Sequence, residues 1–354
     1  MQLFLFIVGL VALVAGAELL VRGASRLALS FGVSPLVVGL TVVAFGTSAP
    51  EVAVSIGAAL DGRSDIAVGN VVGSNIFNVL FILGVSALIT PLIVDTQIIR
   101  KEIPIMIGAS ALLAALGLDG SLSWFDCGLL LILLVAYTVF LIWQSRRITA
   151  SAAPAPADPK EPSAHWLKLV ILIVAGLGLL IAGSHWLVGA AIAFAKTLGV
   201  SDLVVGLTIV AAGTSMPEVA TSITAALRGQ RDIAIGNVIG SNIFNILGCL
   251  GLTGLVSANG LQIAPSLLNF DLWVMIATAF ACVPICLSGR EIARWEGVLF
   301  LGYYAAYATY LILAAQAHDA LPAMSFVMLG FVLPITVVTL AVVALRQPAA
   351  RTPQ

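Results

Sequence analysis

The sequence predicts an all-α protein that crosses a membrane many times, with two inverted five-helix repeats followed by an eleventh helix. The composition, the long apolar runs and an internal duplication all support this fold class. Of the 354 residues, 60% are apolar and 9% are charged, and the mean hydropathy is +1.12, far from the balance of soluble domains. The runs are continuously apolar, whereas the strands of a membrane barrel alternate. We therefore expect a multi-pass protein of the cell membrane, in contact with membrane lipid.

Eleven apolar runs are long enough to cross a hydrocarbon layer of ~30 Å as helices. The first run begins with MQLFLFIVGL and lacks the basic start of a cleaved signal, so we expect a permanent helix there. The predicted spans are residues 2–21, 35–60, 66–90, 103–118, 125–143, 167–195, 202–227, 233–257, 271–288, 297–315 and 323–345.

The chain repeats itself at an offset of 167 residues. Residues 36–60 and 203–227 agree at 20 of 25 positions, and residues 65–84 and 232–251 agree at 15 of 20. Two related halves are therefore present. Because five spans, an odd number, separate equivalent helices, these helices must cross in opposite directions, as in the inverted repeats of secondary transporters.

The segment between the halves, SRRITASAAPAPADPKEPSAH, is rich in Pro and Ala and has no apolar periodicity. It predicts a flexible linker. The expected organisation is a first repeat at 1–144, a linker at 145–166, a second repeat at 167–315, and an extra helix with a tail at 316–354.

The basic residues predict the orientation, because cytoplasmic loops accumulate Lys and Arg. If the N-terminus is outside, fourteen of the 16 basic residues fall in inside segments, and only Arg63 and Lys196 fall outside. The linker and the C-terminus are then expected to be cytoplasmic.

Two glutamates lie near the middle of predicted spans: Glu51 in GTSAPEVAVS and Glu218 in GTSMPEVATS. An intramembrane carboxylate is costly unless it meets a cation, a proton or water, so it indicates a functional site. Neither glutamate has a Lys or Arg in its own span at that depth. Glu18 lies one turn before Arg22 near a helix end, which predicts a structural ion pair instead.

Helix-breaking residues beside the glutamates predict a source of neutral oxygen ligands. Pro50 and Pro217 remove amide donors, and with Gly46 and Gly213 they should break the second and seventh helices. Carbonyls freed by such a break are tolerated in a membrane only where they line a cavity or meet a ligand. The oxygens expected there are the hydroxyls of Thr47, Ser48, Thr214 and Ser215 and the carbonyls of Ala44, Thr47, Ala211 and Thr214.

A polar stripe follows one helix later in each half, because polar residues recur there at i+4 steps and so share one helix face. The stripes in GNVVGSNIFN and GNVIGSNIFN supply the ligand candidates Ser74, Asn78, Ser241 and Asn245. For the remaining amides we expect interhelical hydrogen bonds, namely for Asn70, Asn75, Asn237 and Asn242.

The charge of this predicted site limits which ligands can bind there. Two ionised glutamates give a formal charge of −2, which one divalent or two monovalent cations would neutralise. Ligands that are all oxygens favour Ca²⁺, Na⁺ or H⁺ over Zn²⁺ or Cu⁺. No resident cofactor is expected, since the four cysteines have no metal-binding spacing. No nucleic-acid partner is expected either, because the chain has no basic block.

The paired motifs GTSAPE with GNVVGSNIFN, and GTSMPE with GNVIGSNIFN, resemble the α-repeats of the sodium/calcium exchanger branch of the calcium/cation antiporter superfamily, in its prokaryotic form. The resemblance covers the first ten helices. It implies a midplane site built from helices two, three, seven and eight, and a gate in which helices one and six slide over the rest. Some prokaryotic members and the potassium-dependent branch carry Asp where this chain has Asn245, and Asn at both positions 78 and 245 resembles the potassium-independent exchangers.

The resemblance also implies a role for each candidate ligand. Glu51 and Glu218 would bind both Ca²⁺ and Na⁺, and the carbonyls of Thr47 and Thr214 would bind Ca²⁺. Asn78 and Asn245 would complete the centre of the site. The flanking Na⁺ sites would be formed by Ser48, Ser74, Ser215 and Ser241 and by the carbonyls of Ala44 and Ala211.

The function expected from these features is secondary antiport of Na⁺ for Ca²⁺, with a monomer as the functional unit and no enzymatic activity. The main alternative is an H⁺/Ca²⁺ exchanger in which the two glutamates take protons. A passive channel and an enzyme that uses the glutamates as acid and base are further alternatives. The many Ser, Thr and Asn oxygens favour Na⁺, because proton coupling requires only the carboxylates.

Overall fold

The computed structural model describes residues 2–31, 33–151, 166–197, 211–287 and 289–345. Nine helices in these ranges are long and apolar enough to cross a membrane, and a bent helix pair forms a tenth span. The predicted all-α membrane class is confirmed. The helices of the first half are α1 (Gln2–Phe31), α2a (Pro35–Thr47), α2b (Ala49–Leu60), α3 (Ser64–Ile89), α4 (Ile98–Asp119) and α5 (Trp124–Ser151).

The second half follows the same order, although the beginning of its predicted span 202–227 lies outside the described residues. The last helix, α11, runs without interruption through three consecutive segments. The helices are α6 (Trp166–Thr197), α7a (Ala211–Gly213), α7b (Met216–Leu227), α8 (Arg231–Val256), α9 (Leu267–Leu287), α10 (Arg294–Ala315) and α11 (Leu321–Val327, Met328–Val332 and Leu333–Leu345).

Several helices extend beyond the apolar runs that predicted them. Helix α1 continues to Phe31 rather than residue 21, and α5 continues to Ser151 rather than residue 143. Polar residues such as Arg22 and Arg26 stay helical because their backbone bonds are satisfied within the helix, while their side chains are exposed. Helix α5 therefore enters the segment expected to be linker, and residues 152–165 lie outside the described residues.

Helices α1 and α6, equivalent in the sequence repeat, pack against each other in opposite directions. Gly9 faces Gly183 across this contact, and Gly16 faces Gly176. A methyl group at Gly9 or Gly16 would approach main-chain atoms of α6 to 2.7–2.8 Å, so only glycine permits this close approach. Since Gly9 is equivalent to Gly176 and Gly16 to Gly183, the contact has the two-fold relation that inverted repeats require.

Four short strands connect loops of the two halves. Strand β1 (Leu92–Ile93) pairs antiparallel with β4 (Glu291–Ile292), and β2 (Ser121–Leu122) pairs antiparallel with β3 (Leu261–Gln262). The α3–α4 loop thus lies beside the α9–α10 loop, and the α4–α5 loop lies beside the α8–α9 loop. Each pair of loops shares one end of the bundle, as expected if every helix crosses once.

Burial separates the central helices from the peripheral ones. The most apolar window of α8 is 100% buried and that of α3 is 72% buried, whereas that of α11 is 0% buried. Helix α11 lies against α9 and α10, where the Tyr303 hydroxyl lies 2.5 Å from Thr336 Oγ1, and an apolar cavity of about 570 Å³ separates these helices. The polar stripes of α3 and α8 therefore lie in the protein interior.

Candidate cation-binding site

The second helix breaks where the sequence places its helix-breaking residues. The axes of α2a and α2b differ by 42°, and Ser48 lies between them. Pro50 occupies the first turn of α2b, where its missing N–H is no loss. In the second half, α7b likewise begins after Ser215 and carries Pro217 in its first turn. Both breaks are as predicted.

Each break places a glutamate in the first turn of the helix that follows. Glu51 lies in the first turn of α2b and Glu218 in the first turn of α7b, and both are 0% exposed. The unsatisfied amides and the dipole at a helix N-terminus favour negative charge. The break therefore lowers the cost of burying each carboxylate.

The two halves exchange hydrogen bonds at these carboxylates. Ser215 Oγ donates to Glu51 Oε1 at 2.8 Å, and Ser48 Oγ donates to Glu218 Oε1 at 3.0 Å. Each serine lies one turn before the glutamate of its own half, so the two breaks face each other. The structure thus brings Glu51 and Glu218 together in one buried site.

Several buried oxygens at this site have no hydrogen-bond partner among the described residues. They belong to residues that occur as equivalent pairs in the two halves. A buried acceptor left unsatisfied costs free energy, and a bound cation would remove that cost. The paired atoms are Glu51 and Glu218 Oε2, Ser74 and Ser241 Oγ, and Asn78 and Asn245 Oδ1.

The threonines at the breaks are anchored by the opposite half. Thr47 Oγ1 donates to Asn237 Oδ1 at 3.0 Å, and Thr214 Oγ1 lies 3.4 Å from Asn70 Oδ1. The side chains of both threonines therefore form contacts between the halves. Their main-chain carbonyls are available for the ligand role that the resemblance implies.

The two alanines of the predicted site lie at equivalent positions beside the helix breaks. The Ala44 carbonyl accepts the Ser48 amide at 3.1 Å, so Ala44 lies at the break in α2. Ala211 begins α7a. Both positions place a main-chain carbonyl seven residues, about two turns, before the glutamate of the same half.

Hydrogen bonds between helices hold the glutamate backbone, and serines that the sequence did not reveal take part in them. Asn70 Nδ2 donates to the Glu51 carbonyl at 3.3 Å and to Ser55 Oγ at 3.1 Å. In the second half, Asn237 binds the Glu218 carbonyl and Ser222 in the same way. The structural interpretation of both asparagines is confirmed. Ser55 and Ser222 each lie one turn after a glutamate and are equivalent in the repeat. This position in the sequence could have predicted their contact with the site.

No basic side chain forms an ion pair with either glutamate within the described residues. That part of the chain also contains no cluster of three or more His, Cys, Asp or Glu side chains. The donor set is two carboxylates surrounded by hydroxyl, amide and main-chain oxygens. Such a set suits hard cations, which prefer oxygen ligands.

The chain is similar to known membrane proteins over most of its length. A family model described as sodium/calcium exchanger protein matches residues 1–143 and 168–313. The sodium/calcium exchanger MaX1 of Methanosarcina acetivorans is 34% identical over 338 residues, which cover 86% of this chain and 96% of that protein. Inner membrane protein YrbG of Escherichia coli K12 is 38% identical over 309 residues, covering 84% and 93% respectively.

A solved structure of the sodium-calcium exchanger NCX_Mj, soaked with 2.5 mM Na⁺ and 0.1 mM Ca²⁺, superposes with a TM-score of 0.74. It is 34% identical, and the match covers 87% of this chain and 97% of that one. Fold and site together define a cation antiporter of the membrane. The chain belongs to the sodium/calcium exchanger family. Helix α11 lies beyond the residues that the family model matches.

Proposed function

We propose that this protein exchanges Na⁺ for Ca²⁺ and that Glu51 and Glu218 together form the site where the two ions compete. The observation that carries the proposal is the paired set of unsatisfied buried oxygens from both halves. One Ca²⁺ balances the formal charge of the two carboxylates. Na⁺ ions compete for the same oxygens, so one ion must leave before the other binds, and this competition couples the two fluxes.

The inverted arrangement supports alternating access as the transport mechanism. Helices α1 and α6 cross each other at the glycine contacts, while the site is built by α2, α3, α7 and α8. If the glycine-lined pair moves relative to those helices, the site opens first to one side and then to the other. With the N-terminus outside, as the basic residues indicate, α2b ends on the outer side and α7b ends on the cytoplasmic side.

The neutral oxygens favour Na⁺ over H⁺ as the coupling ion. Proton exchange requires only the two carboxylates. The unsatisfied oxygens of Ser74, Ser241, Asn78 and Asn245 are additional acceptors that a bare cation can use. If more than two Na⁺ are exchanged for one Ca²⁺, each cycle moves net charge and the rate should depend on voltage, at about 2.3 kcal/mol per charge per 100 mV.

Proteoliposomes loaded with ⁴⁵Ca²⁺ test this proposal. We expect Ca²⁺ efflux to require external Na⁺ and to stop when choline replaces Na⁺. Efflux driven by a pH gradient in Na⁺-free buffer would instead establish the H⁺/Ca²⁺ exchanger. Efflux that needs no counter-ion would establish a channel.

A further inference from the structure

Four asparagines at the crossing of α3 and α8 form one hydrogen-bonded network. The inner pair, Asn75 and Asn242, bond to each other, and each also accepts from one of the outer pair, Asn78 and Asn245. Asn75 Nδ2 donates to the Asn242 carbonyl at 3.2 Å, and Asn242 Nδ2 donates to the Asn75 carbonyl at 3.2 Å. Asn78 Nδ2 donates to Asn242 Oδ1 at 3.0 Å, and Asn245 Nδ2 donates to Asn75 Oδ1 at 3.2 Å. All four side chains are at most 2% exposed. Each half thus orients a side chain that belongs to the other.

The orientation of the two inner amides is fixed by atoms that accept but cannot donate. Asn75 Nδ2 faces a main-chain carbonyl and also Met275 Sδ at 3.7 Å. Asn242 Nδ2 faces a main-chain carbonyl and also Met106 Sδ at 3.5 Å. If either amide were reversed, its side-chain oxygen would face these acceptors and would be buried without a donor. The inner amides therefore have one stable orientation.

The inner amides in turn fix the outer ones. Asn242 Oδ1 requires a donor, so Asn78 must turn its nitrogen toward it. Asn75 Oδ1 imposes the same orientation on Asn245. As a result, Asn78 Oδ1 and Asn245 Oδ1 are the atoms left without a protein partner among the described residues. A reversed outer amide would present N–H groups, which repel a cation.

We propose that Asn75 and Asn242 are positioning residues that determine cation binding by keeping Asn78 and Asn245 as pure oxygen ligands. The inference rests on the proposed function, because it assumes that Asn78 and Asn245 face the transported ion. It adds two residues that contact no ion in this scheme. It also explains why each half contributes two asparagines three residues apart, in the sequence SNIFN.

The first test is the Ca²⁺ affinity of the purified full-length protein, measured by isothermal titration calorimetry. Asn242→Ala releases the Asn78 amide and should weaken Ca²⁺ binding by roughly ten- to a hundredfold, as is usual when the partner of a metal ligand is removed. Asn75→Ala should do the same through Asn245. Ser110→Ala, which removes a buried hydroxyl that bonds only within its own helix α4, is the control and should change the affinity by no more than about twofold.

The decisive test repeats Asn242→Ala in an Asn78→Asp background. A carboxylate has two accepting oxygens, so it has no wrong orientation and does not need Asn242. Asn242→Ala should therefore weaken Ca²⁺ binding far less in this background than in the wild type. An equal fold loss in both backgrounds would show that Asn242 acts only on the packing of α3 and α8, and would overturn the proposal.

Two controls make the outcomes distinguishable. Thermal melting of each variant reports whether the fold is kept, and the equivalent cycle of Asn75→Ala with Asn245→Asp carries the test if Asn242→Ala does not fold. Wild-type protein that binds no Ca²⁺ would contradict the proposed function itself. Wild-type protein that binds Ca²⁺, with Asn242→Ala binding equally well, would contradict only the positioning role.

Discussion

The two halves of the molecule are almost the same at the cation site and differ in the helices that cover it. Helix α7b packs along α1, and Arg228 at its end forms ion pairs with Glu18 of α1, which also pairs with Arg22. In α7b, only Leu227 is exposed. The equivalent helix α2b lies at the surface, with exposed residues Ala53, Val54, Gly57 and Leu60.

The ion pair of this covering has no counterpart in the described part of the other half. By the repeat, Glu18 corresponds to His185 of α6, and Arg228 corresponds to Asp61 at the end of α2b. Neither His185 nor Asp61 forms an ion pair with the other among the described residues. The site is thus symmetric, while, in the part of the chain that the structure describes, an ion pair covers the helix that follows it in one half only. Under the proposed topology, this ion pair lies on the cytoplasmic side.

Symmetry of the site predicts equal and large losses when either carboxylate is neutralised. Glu51→Gln and Glu218→Gln each remove one of two charges, which costs at least about 4 kcal/mol at 4 Å with an effective dielectric constant of 20. We expect Na⁺-driven ⁴⁵Ca²⁺ uptake by proteoliposomes to fall by more than a hundredfold for both variants. Normal uptake by either one would contradict the assignment.

A buried carboxylate outside the site serves as the control for this experiment. Glu102 accepts hydrogen bonds from Gln97 at 2.8 Å and from Tyr137 at 2.7 Å. Glu102→Gln has nearly the same shape and removes a negative charge, but it leaves the cation ligands intact. Uptake by this variant should stay close to that of the wild type.

Because the two halves exchange hydrogen bonds, we expect a substitution in one half to weaken cation binding by the carboxylate of the other half. Ser215→Ala removes the donor to Glu51, and Ser48→Ala removes the donor to Glu218. A hydrogen bond to a charged group contributes about 1.5–3 kcal/mol, so each variant should lower the Ca²⁺ affinity by roughly tenfold or more. In thermal melting without ions, adding Ser215→Ala to Glu51→Gln should lower the melting temperature less than adding it to the wild type. Full additivity in this double-mutant cycle would show that Ser215 and Glu51 do not interact across the two halves.

A third carboxylate should alter ion selectivity. Asn245→Asp makes the site more negative and removes the amide that donates to Asn75. We expect several-fold changes in the apparent affinities for Na⁺ and Ca²⁺, together with a new pH dependence as the introduced carboxylate gains and loses a proton. Asn78→Asp should give a similar change in the first half. An unchanged Na⁺ and Ca²⁺ profile would place position 245 outside the site.

The smallest predicted effect concerns the asymmetric covering. Glu18→Gln breaks the ion pairs that join α1 to α7b, and exposed pairs contribute up to about 1 kcal/mol, so the balance between the two states should shift by about fivefold at most. His185→Gln should leave this balance unchanged, because His185 has no ion pair to lose among the described residues. Cysteine accessibility at the end of α7b, measured for both variants, checks this. Equal shifts in the two variants would show that the ion pair does not hold α7b against α1.

Much of the site follows from the sequence because the repeat marks it twice. Glu51 and Glu218 stand out as carboxylates in apolar runs, and Pro50 and Pro217 predict the helix breaks beside them. The exchange between halves was not predictable, because no local pattern shows that Ser48 bonds to Glu218 rather than to its own half. The Arg228 partner of Glu18 was missed for the same reason. Helix ends such as Ser151 were predicted too early, because the hydropathy of the sequence decreases several residues before the helix ends.

The most direct test of the shared site is the stoichiometry of Ca²⁺ binding to the purified protein in Na⁺-free buffer. One site formed jointly by Glu51 and Glu218 predicts one Ca²⁺ per chain in the wild type and no measurable binding in Glu51→Gln or in Glu218→Gln. Two Ca²⁺ per chain, with one retained in each variant, would show that the carboxylates form separate sites and would contradict the account.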